Sequence, residues 1–400
     1  MIKKYIKRGK YLKKIKPFID KEIIKVVVGQ RRVGKSYLLF QIMDLIEKKN
    51  SKANIVYINK EQFEFDEITD HKTLIEYIYK NTLKTKKNYV FIDEIQDIKH
   101  FEKALRSLNA TGKYDIYCTG SNANLLSGEL ATYLSGRYVE IQVHSLDYQE
   151  FLKFHKLKDD KTAFEKYITF GGLPYLRHLK LDQEIVFDYL QNIYNTILLK
   201  DVVSRYKIRN VSFLKNLSRY VADNVGALVS AKKISDFLIS QKIKISPNVV
   251  LDYLSYLENT FLIYKVPRLD VKGRKIFEIN EKYYFEDLGL RNAIAGYRTG
   301  DVNKFLENLV YKHLIGRGYE VFVGQLGKKE IDFVAEKNNE RLYVQVAYKI
   351  HKNNTKREFG NLLEIPDNFR KIVVSDDSYI GHNTYKGIEH LHIKDFLLEK

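Results

Sequence analysis

Gly29, Gly34, Lys35 and Ser36 stand at the fixed positions of Gly-Gln-Arg-Arg-Val-Gly-Lys-Ser, a spacing that fits G-x-x-x-x-G-K-[ST]. Glycines there let backbone N–H groups close around a polyphosphate. The lysine puts a positive charge on the β/γ oxygens, and the serine hydroxyl reaches Mg²⁺. Gly29, Gln30, Arg31, Arg32, Val33, Gly34, Lys35, Ser36 and Tyr37 are therefore the candidate cradle for a nucleotide such as ATP or ADP. A second group follows an apolar run: Tyr89-Val-Phe-Ile ends in Asp93 and Glu94. Ligands of a parallel sheet gather at the carboxyl ends of strands, which brings Asp93 near the metal held by Ser36. Glu94, one residue on, is placed to activate a water against the γ-phosphate. A glycine turn and an acidic helix N-cap would explain each group separately, but a strand, loop and helix in the required order favour the nucleotide reading.

Those groups need elements to hold them. Ile23 to Val28 is a short apolar run suited to a strand buried on both faces, and Gly29 ends it. Leu38, Leu39, Ile42, Leu45 and Ile46 recur at helical spacing, so the loop opens a helix whose N-terminus points at the phosphates. Asn54 to Ile58 reads as a second strand, Asp115 to Cys118 as another and Tyr138 to Val143 as a fifth. The strand at Cys118 ends in Thr119-Gly120-Ser121-Asn122, polar residues able to bond a γ-phosphate or the attacking water, or else a plain polar turn. Arg137 stands just before the fifth strand, where an arginine finger and a surface ion pair are both open readings.

The chain has 400 residues, enough for two to four domains, and its formal charge of +18 with a pI near 9.4 favours nucleic acid or another polyanion as partner. Cys118 is the single cysteine, which excludes an intrachain disulfide and a Cys-based zinc cluster; its apolar surroundings suit inert packing. No stretch approaches the roughly 18 apolar residues of a membrane span. Met1 to Lys16 lacks the apolar core of a signal peptide, so a cytoplasmic protein is expected. Its cations, Lys3, Lys4, Lys7, Arg8, Lys10, Lys13, Lys14 and Lys16, fit a solvated amphipathic helix leading into the first strand.

Gln-Arg-Arg-Val-Gly-Lys-Ser, Phe-Ile-Asp-Glu-Ile-Gln, Thr-Gly-Ser-Asn and Leu-Ser-Gly-Arg together resemble the prokaryotic AAA-type ATPases with a C-terminal region of unknown function. Gly-Gly-Leu-Pro, Gly171 to Pro174, matches the place where that family sets a nucleotide-facing motif in its lid. The resemblance covers about the first half of the chain. It implies ATP hydrolysis with Asp93 on magnesium, Glu94 as base, Ser121 or Asn122 as sensor, Arg137 as candidate finger and Pro174 near the adenine. Whether Arg137 serves its own subunit or a neighbour in a homo-oligomer stays open.

Beyond the core the pattern turns helical. Ile185, Tyr189, Ile193 and Ile197 form one stripe, and Phe213, Leu214, Leu217 and Val221 another, suiting a helical lid coupled to nucleotide through Gly171 to Pro174. Ile234, Phe237 and Leu238 mark a helix. Ser246-Pro247 caps a second, with Val250, Tyr253, Leu254 and Leu257 inward. Strands at Phe261 to Val266 and Ile276 to Phe285 flank a basic tip, Lys272-Gly273-Arg274-Lys275. This is a winged helix-turn-helix order, but the outward Asn248, Asp252 and Ser255 of the second helix make a poor phosphate surface, so DNA contact and protein contact are both open. The last hundred residues give a helix carrying Glu307, strands at Tyr319 to Val323, Ile331 to Ala335 and Leu342 to Tyr348 with an Asn338-Asn339 turn, then a helix and a strand Ile372 to Ser375. With Glu330-Ile-Asp332 and Gln345-Val-Ala347 this looks like the restriction-endonuclease-like fold, whose members hold Mg²⁺ with such acids. Ala347 occupies the position of the expected lysine. Lys349 lies on the same strand face, about 7 Å farther along. A degenerate, non-cleaving use is expected, with an active nuclease built on Glu307, Asp332, Gln345 and Lys349 as the alternative.

The expected architecture is thus α/β: a P-loop ATPase core with a parallel sheet (1–160), a helical lid (161–225), a winged helix (226–290) and a smaller restriction-endonuclease-like domain (300–400).

Overall fold

The computed structural model describes residues 5–125, 134, 136–240, 242–273, 275–350, 354–377 and 384–399; Lys3, Lys4 and Arg274, singled out above, lie outside them. The chain divides into two compact units, residues 1–145 with 259–261, and residues 146–258 with 262–400.

In the first unit, β1 (Ile24–Val28), β2 (Asn54–Asn59), β3 (Asn88–Asp93), β4 (Tyr114–Gly120) and β5 (Tyr138–Gln142) form one sheet in the order β2-β3-β4-β1-β5. Every pairing in it is parallel. β1, β3 and β4 are buried along their whole length, as central strands covered on both faces must be. One residue breaks the apolar run of β1. Lys25 is fully buried, and its ammonium pairs with Asp115 on β4, donates to the Lys21 carbonyl at 3.1 Å and sits 4.9 Å from the Tyr117 ring centre. A buried charge persists only with such partners. The helix Lys35–Lys49 turns Leu38, Leu39, Ile42 and Ile46 to the core, and the helices His71–Lys80 and Phe101–Ala110 bury Leu74, Ile78, Ala104, Leu105 and Leu108. The basic N-terminal segment does form a helix, Gly9–Ile15, but it is docked rather than simply solvated. Tyr11 and Ile15 are buried in it, and Arg8 donates from Nη1 to the Val33 carbonyl at 3.0 Å and to the His144 carbonyl at 2.9 Å. Cys118 is buried, and burial pushes its thiol up to about 12, so it is packing rather than a nucleophile.

The second unit opens with the helices Tyr148–His155, Lys161–Phe170, Gln183–Thr196 and Val211–Asp223; the third runs on into a π-helical stretch, Ile197–Ser204. The inward stripe of that third helix is Val186, Leu190, Ile193 and Ile197, while Ile185, expected inside, is 44% exposed. Helices Ala231–Ser240 and Pro247–Asn259 follow, then a nine-stranded sheet. Its strands are β6 (Leu228–Val229), β7 (Ile263–Asp270), β8 (Ile276–Phe285), β9 (Glu320–Leu326), β10 (Lys329–Lys337), β11 (Glu340–Ala347), β12 (Arg370–Ser375), β13 (Thr384–Tyr385) and β14 (Ile388–His392). Their order is β13-β14-β12-β11-β10-β9-β7-β8-β6. The hairpin expected to be a free wing is therefore part of the terminal sheet: β7 pairs in parallel with β9 through Arg268–Asp270 and Val323–Gln325. Asn338 and Asn339, both at positive φ (49° and 65°), make the tight turn between β10 and β11.

A short helix, Leu288–Ala295, ties the helices Lys161–Phe170 and Val211–Asp223 to the rest of this unit. Asp287 accepts from the Gly172 amide at 2.7 Å, and Asn292 Nδ2 donates to the Ile168 and Thr169 carbonyls at 3.0 Å. Arg291, wholly buried, donates to the Ala222 carbonyl at 2.7 Å and pairs with Asp301 at 2.8 Å. The glycines of Gly171-Gly172 are required by this packing. A Cβ on Gly171 would lie 2.1 Å from Asp287 Oδ1, and one on Gly172 would lie 2.3 Å from the Leu146 carbonyl oxygen.

Gly171 also holds φ 74° and ψ −164°, a region essentially confined to glycine. Gly171→Ala is expected to destabilise the second unit by about 3 kcal/mol. Gly300→Ala, with open space around the glycine, should stay within about 0.5 kcal/mol. Urea denaturation followed by circular dichroism measures both.

Candidate functional site

β4 lies between β1 and β3, so the three segments that follow these strands share one end of the sheet. Gly29 leaves β1 at φ 147°, and a Cβ there would lie 2.2 Å from the Val143 carbonyl oxygen. Gly34, at φ 96°, precedes the helix Lys35–Lys49. No side chain caps that helix and no acidic residue stands in its first turn, so its N-terminal amides and dipole are left for an anion. Lys35 is 4% exposed; its Nζ donates to the carbonyls of Gly29 (3.0 Å) and Gln30 (3.1 Å) and lies 3.7 Å from Glu94 Oε1. Beside it Gln30 is fully buried, and neither its Nε2 nor its Oε1 has a partner. A cradle that excludes Cβ atoms, an uncapped helix end and an orphaned amide together fit a polyphosphate. Arg31, buried, reaches Glu61 at 3.6 Å; Arg32 holds φ 68°; Val33 is buried and its carbonyl is braced by Arg8; Tyr37 is half exposed.

Asp93 ends β3 as a hub. Its Oδ1 accepts from Thr119 Oγ1 at 2.5 Å, its Oδ2 accepts from the Tyr57 hydroxyl at 3.2 Å, and Ser36 also bonds to it. Burial raises its pKa, with the Ser36 and Thr119 hydroxyls opposing. Among the described residues no group of three or more His, Cys, Asp or Glu side chains is set to hold a metal. One carboxylate and one hydroxyl suit a Mg²⁺ that arrives with its phosphates rather than one caged by protein.

Glu94 is in the left-handed region, φ 58° and ψ 53°, a strain of about 1–2 kcal/mol for a non-glycine residue. Its amide donates to Thr119 Oγ1 at 2.9 Å, so one hydroxyl holds both acids. Its carboxylate accepts from Gln96 Nε2 and from Ser121 Oγ at 3.2 Å. Burial pushes its pKa up, but Lys35, Gln96, Arg31 and Ser121 outweigh that and hold it below the ordinary range. It is an ionised acceptor poised beside the loop. Asn122 is buried next to Ser121.

One sequence expectation is placed elsewhere. Arg137 is exposed at the amino end of β5, its carbonyl accepting from Ile24 at 2.9 Å, so it stands at the opposite end of the sheet from the loop after Val28. A strand of that length spans roughly 15 Å, and Arg137 is not brought to the site of its own chain. Pro174 opens a 3₁₀ turn in the second unit. Thr119, Tyr57, Gln96 and Arg8 were missed. The Thr-Gly-Ser-Asn strand end pointed towards Thr119; nothing local marks Tyr57 or Arg8.

The acids of the terminal domain also converge, though not as expected. Lys282 on β8 is buried with Nζ 3.0 Å from Glu307, 2.9 Å from Glu330 and 3.9 Å from Asp332. Tyr284 donates to Glu307 at 2.5 Å, Asp332 Oδ2 accepts from the Val346 amide at 2.8 Å, and Gln345 Oε1 accepts from the Asp332 amide at 3.4 Å. Burial and the neighbouring Glu307 raise the pKa of Asp332; burial lowers that of Lys282, but its carboxylates outweigh this and hold it protonated. Lys349 is not the partner lysine: β11 stops at Ala347, and Lys349 is exposed with its ammonium 5.2 Å from the Tyr348 ring centre.

Residues 21–152 match an AAA domain, and residues 161–301 match a domain of unknown function (DUF8612). An uncharacterized protein of Haemophilus influenzae is 39% identical over 405 residues, 100% of both chains. Another, of Methanocaldococcus jannaschii, is 31% identical over 394 residues, 92% of this chain and 86% of the relative. The chain belongs to one family with these two relatives and carries an AAA domain. Among solved structures, the ORC1 protein of Aeropyrum pernix in complex with DNA is similar at 12% identity and a TM-score of 0.34, covering 77% of this chain and 96% of that one. A likeness that distant carries no argument about ligands. The AAA match ends at residue 152, and the second match takes in both Gly171 and Asp287. No helix among the described residues is long and apolar enough to cross a membrane.

Thr119→Val leaves the buried Glu94 amide without an acceptor and is expected to cost about 1–3 kcal/mol. Thr119→Ser should recover most of that loss, and thermal unfolding of the nucleotide-free variants measures both.

Proposed function

We propose that this AAA-type protein binds and hydrolyses ATP with Mg²⁺ and works as a nucleotide-driven switch or motor whose output reaches DNA or another polyanion. The observation that carries the ATPase reading is the meeting of Lys35, Asp93, Ser36 and Glu94 at one end of the first sheet. Gly29 to Tyr37 hold the phosphates, with Lys35 leaving its carbonyl partners for the β/γ oxygens. Ser36 and Asp93 hold Mg²⁺, which when bound neutralises phosphate charge. Glu94, ionised and fixed by Thr119, Gln96 and Ser121, takes the proton of the attacking water, and Ser121 or Asn122 senses the γ-phosphate. Arg137, remote from this site in its own chain, suits a neighbouring copy's site in a homo-oligomer.

A net charge of +18 supports the polyanion output, and the helix-helix-hairpin order of residues 231–285 supports a winged-helix reading. One observation favours a second reading, in which that module meets protein. Phe237 (64% exposed), Ile239, Val249 and Leu251 are apolar residues facing solvent on its two helices. The nuclease alternative is disfavoured. Lys282 fills with an ammonium the place among Glu307, Glu330 and Asp332 that a divalent cation would need, so the acids read as a structural ion cluster.

Lys35→Ala should abolish nucleotide binding or turnover, while Glu94→Gln should retain ATP and hydrolyse it about 10²–10⁴-fold more slowly in a phosphate-release assay. Normal turnover by Glu94→Gln would remove the base assignment. Plasmid incubated with the protein and Mg²⁺ or Mn²⁺ should stay uncut. Lys282→Met, which leaves buried acids unpaired, should destabilise by about 3–5 kcal/mol.

A further inference from the structure

A cleft of about 550 Å³ opens within the second unit between the end of the helix Tyr148–His155, the helix Lys161–Phe170 and the turn after Pro174. Four cations line it, Lys156, Lys166, Arg177 and Lys180, beside Phe154 and His155. Among the described residues none of the four has a carboxylate at ion-pair distance. Arg177 is half-buried with its guanidinium 5.9 Å from the Phe154 ring centre, so it is partly held in place before any ligand arrives. His155 Nε2 is buried without a hydrogen-bond partner, and its ring packs on Phe151 at 4.4 Å. Burial pushes the His155 pKa down to about 4, and Arg177 and Lys166 add to the same direction.

Unpaired cations around a partly apolar cleft call for an anion with an organic body. A planar guanidinium and several ammonium groups suit phosphate. A volume of this size holds a drug-sized ligand, and an arginine stacked over an aromatic ring is a surface on which a base or sugar can lie. We propose that this cleft binds a nucleoside phosphate, free or as one unit of a nucleic-acid strand. It is lined by residues that the ATPase reading does not use, so either can fail without the other.

The test uses the full-length Lys35→Ala protein, in which the phosphate loop is disabled, and three probes: AMP, the oligonucleotide dT12 and inorganic phosphate. Binding is measured by calorimetry. The His155 ring resonance, identified by its loss in His155→Gln, is followed by NMR. AMP or dT12 is expected to shift that resonance, and Lys166→Gln combined with Arg177→Gln is expected to weaken binding at least about tenfold. Tighter binding of AMP identifies a free nucleotide. Tighter binding of dT12, falling steeply with salt, identifies a strand. Should the double variant not fold, Lys156→Gln with Lys180→Gln, on the exposed rim, carries the same expectation at reduced size. An unmoved His155 resonance, an affinity indifferent to these substitutions, or inorganic phosphate bound as tightly as AMP would overturn the proposal.

Discussion

The Thr119 hydroxyl is the joint on which the candidate site turns. It gives its proton to Asp93 and takes that of the Glu94 amide, so a single side chain on β4 fixes both acids that end β3. This works only because β4 is inserted between β1 and β3, which sets the phosphate loop, the acids and the Thr119–Asn122 turn along one edge of the sheet. The left-handed strain at Glu94 persists because the surrounding bonds over-determine it. The result is an ionised carboxylate held 3.7 Å from the Lys35 ammonium in a buried setting, where their attraction is screened less than in an open loop.

In the second unit a set of buried polar ties adds to an extensive hydrophobic core. Asp287, Arg291 and Asn292 bind two segments, 168–172 and the end of Val211–Asp223, to one short helix. The pairing of β7 with β9 joins the hairpin to the terminal sheet. The segment 168–172, the helix Val211–Asp223 and the hairpin are thus tied within one unit. The glycines at Gly171 and Gly172 serve this joint directly, since their Cβ atoms would overlap Asp287 and Leu146. That gives the Gly-Gly-Leu-Pro motif a packing reason of its own, whatever its relation to nucleotide.

In the ion cluster, the acids that the nuclease resemblance singled out meet a lysine that it did not single out. Asp332 and Gln345 sit on the adjacent strands β10 and β11, as their spacing implied, and Glu307 joins them from a helix. The lysine comes from β8, fifty residues before Asp332, and not from Lys349. Reading along one strand assumed that the partner of a strand residue lies on that strand. Lys282 reaches Asp332 although β9 and β7 stand between their strands in the sheet order, a meeting that only the folded sheet brings about.

What the chain's order of residues determined by itself is local. The phosphate loop, the strand ends at Asp93 and Ser121, the amphipathic helices and the Asn338-Asn339 turn each rest on chemistry within about ten residues, where glycine geometry and hydrophobic period are decisive. Even there the period failed by one position at Ile185, because a helix with apolar residues on several sides does not declare which one faces in. Long-range pairing was settled only by the tertiary structure: Lys25 with Asp115, Arg8 under the loop, Tyr57 on Asp93, Lys282 among three acids, and Arg137 at the far end of its sheet. A buried charge or hydroxyl leaves the same letter in the sequence as an exposed one. Its partner is chosen by which strands are neighbours, and strand order is a property of the whole fold.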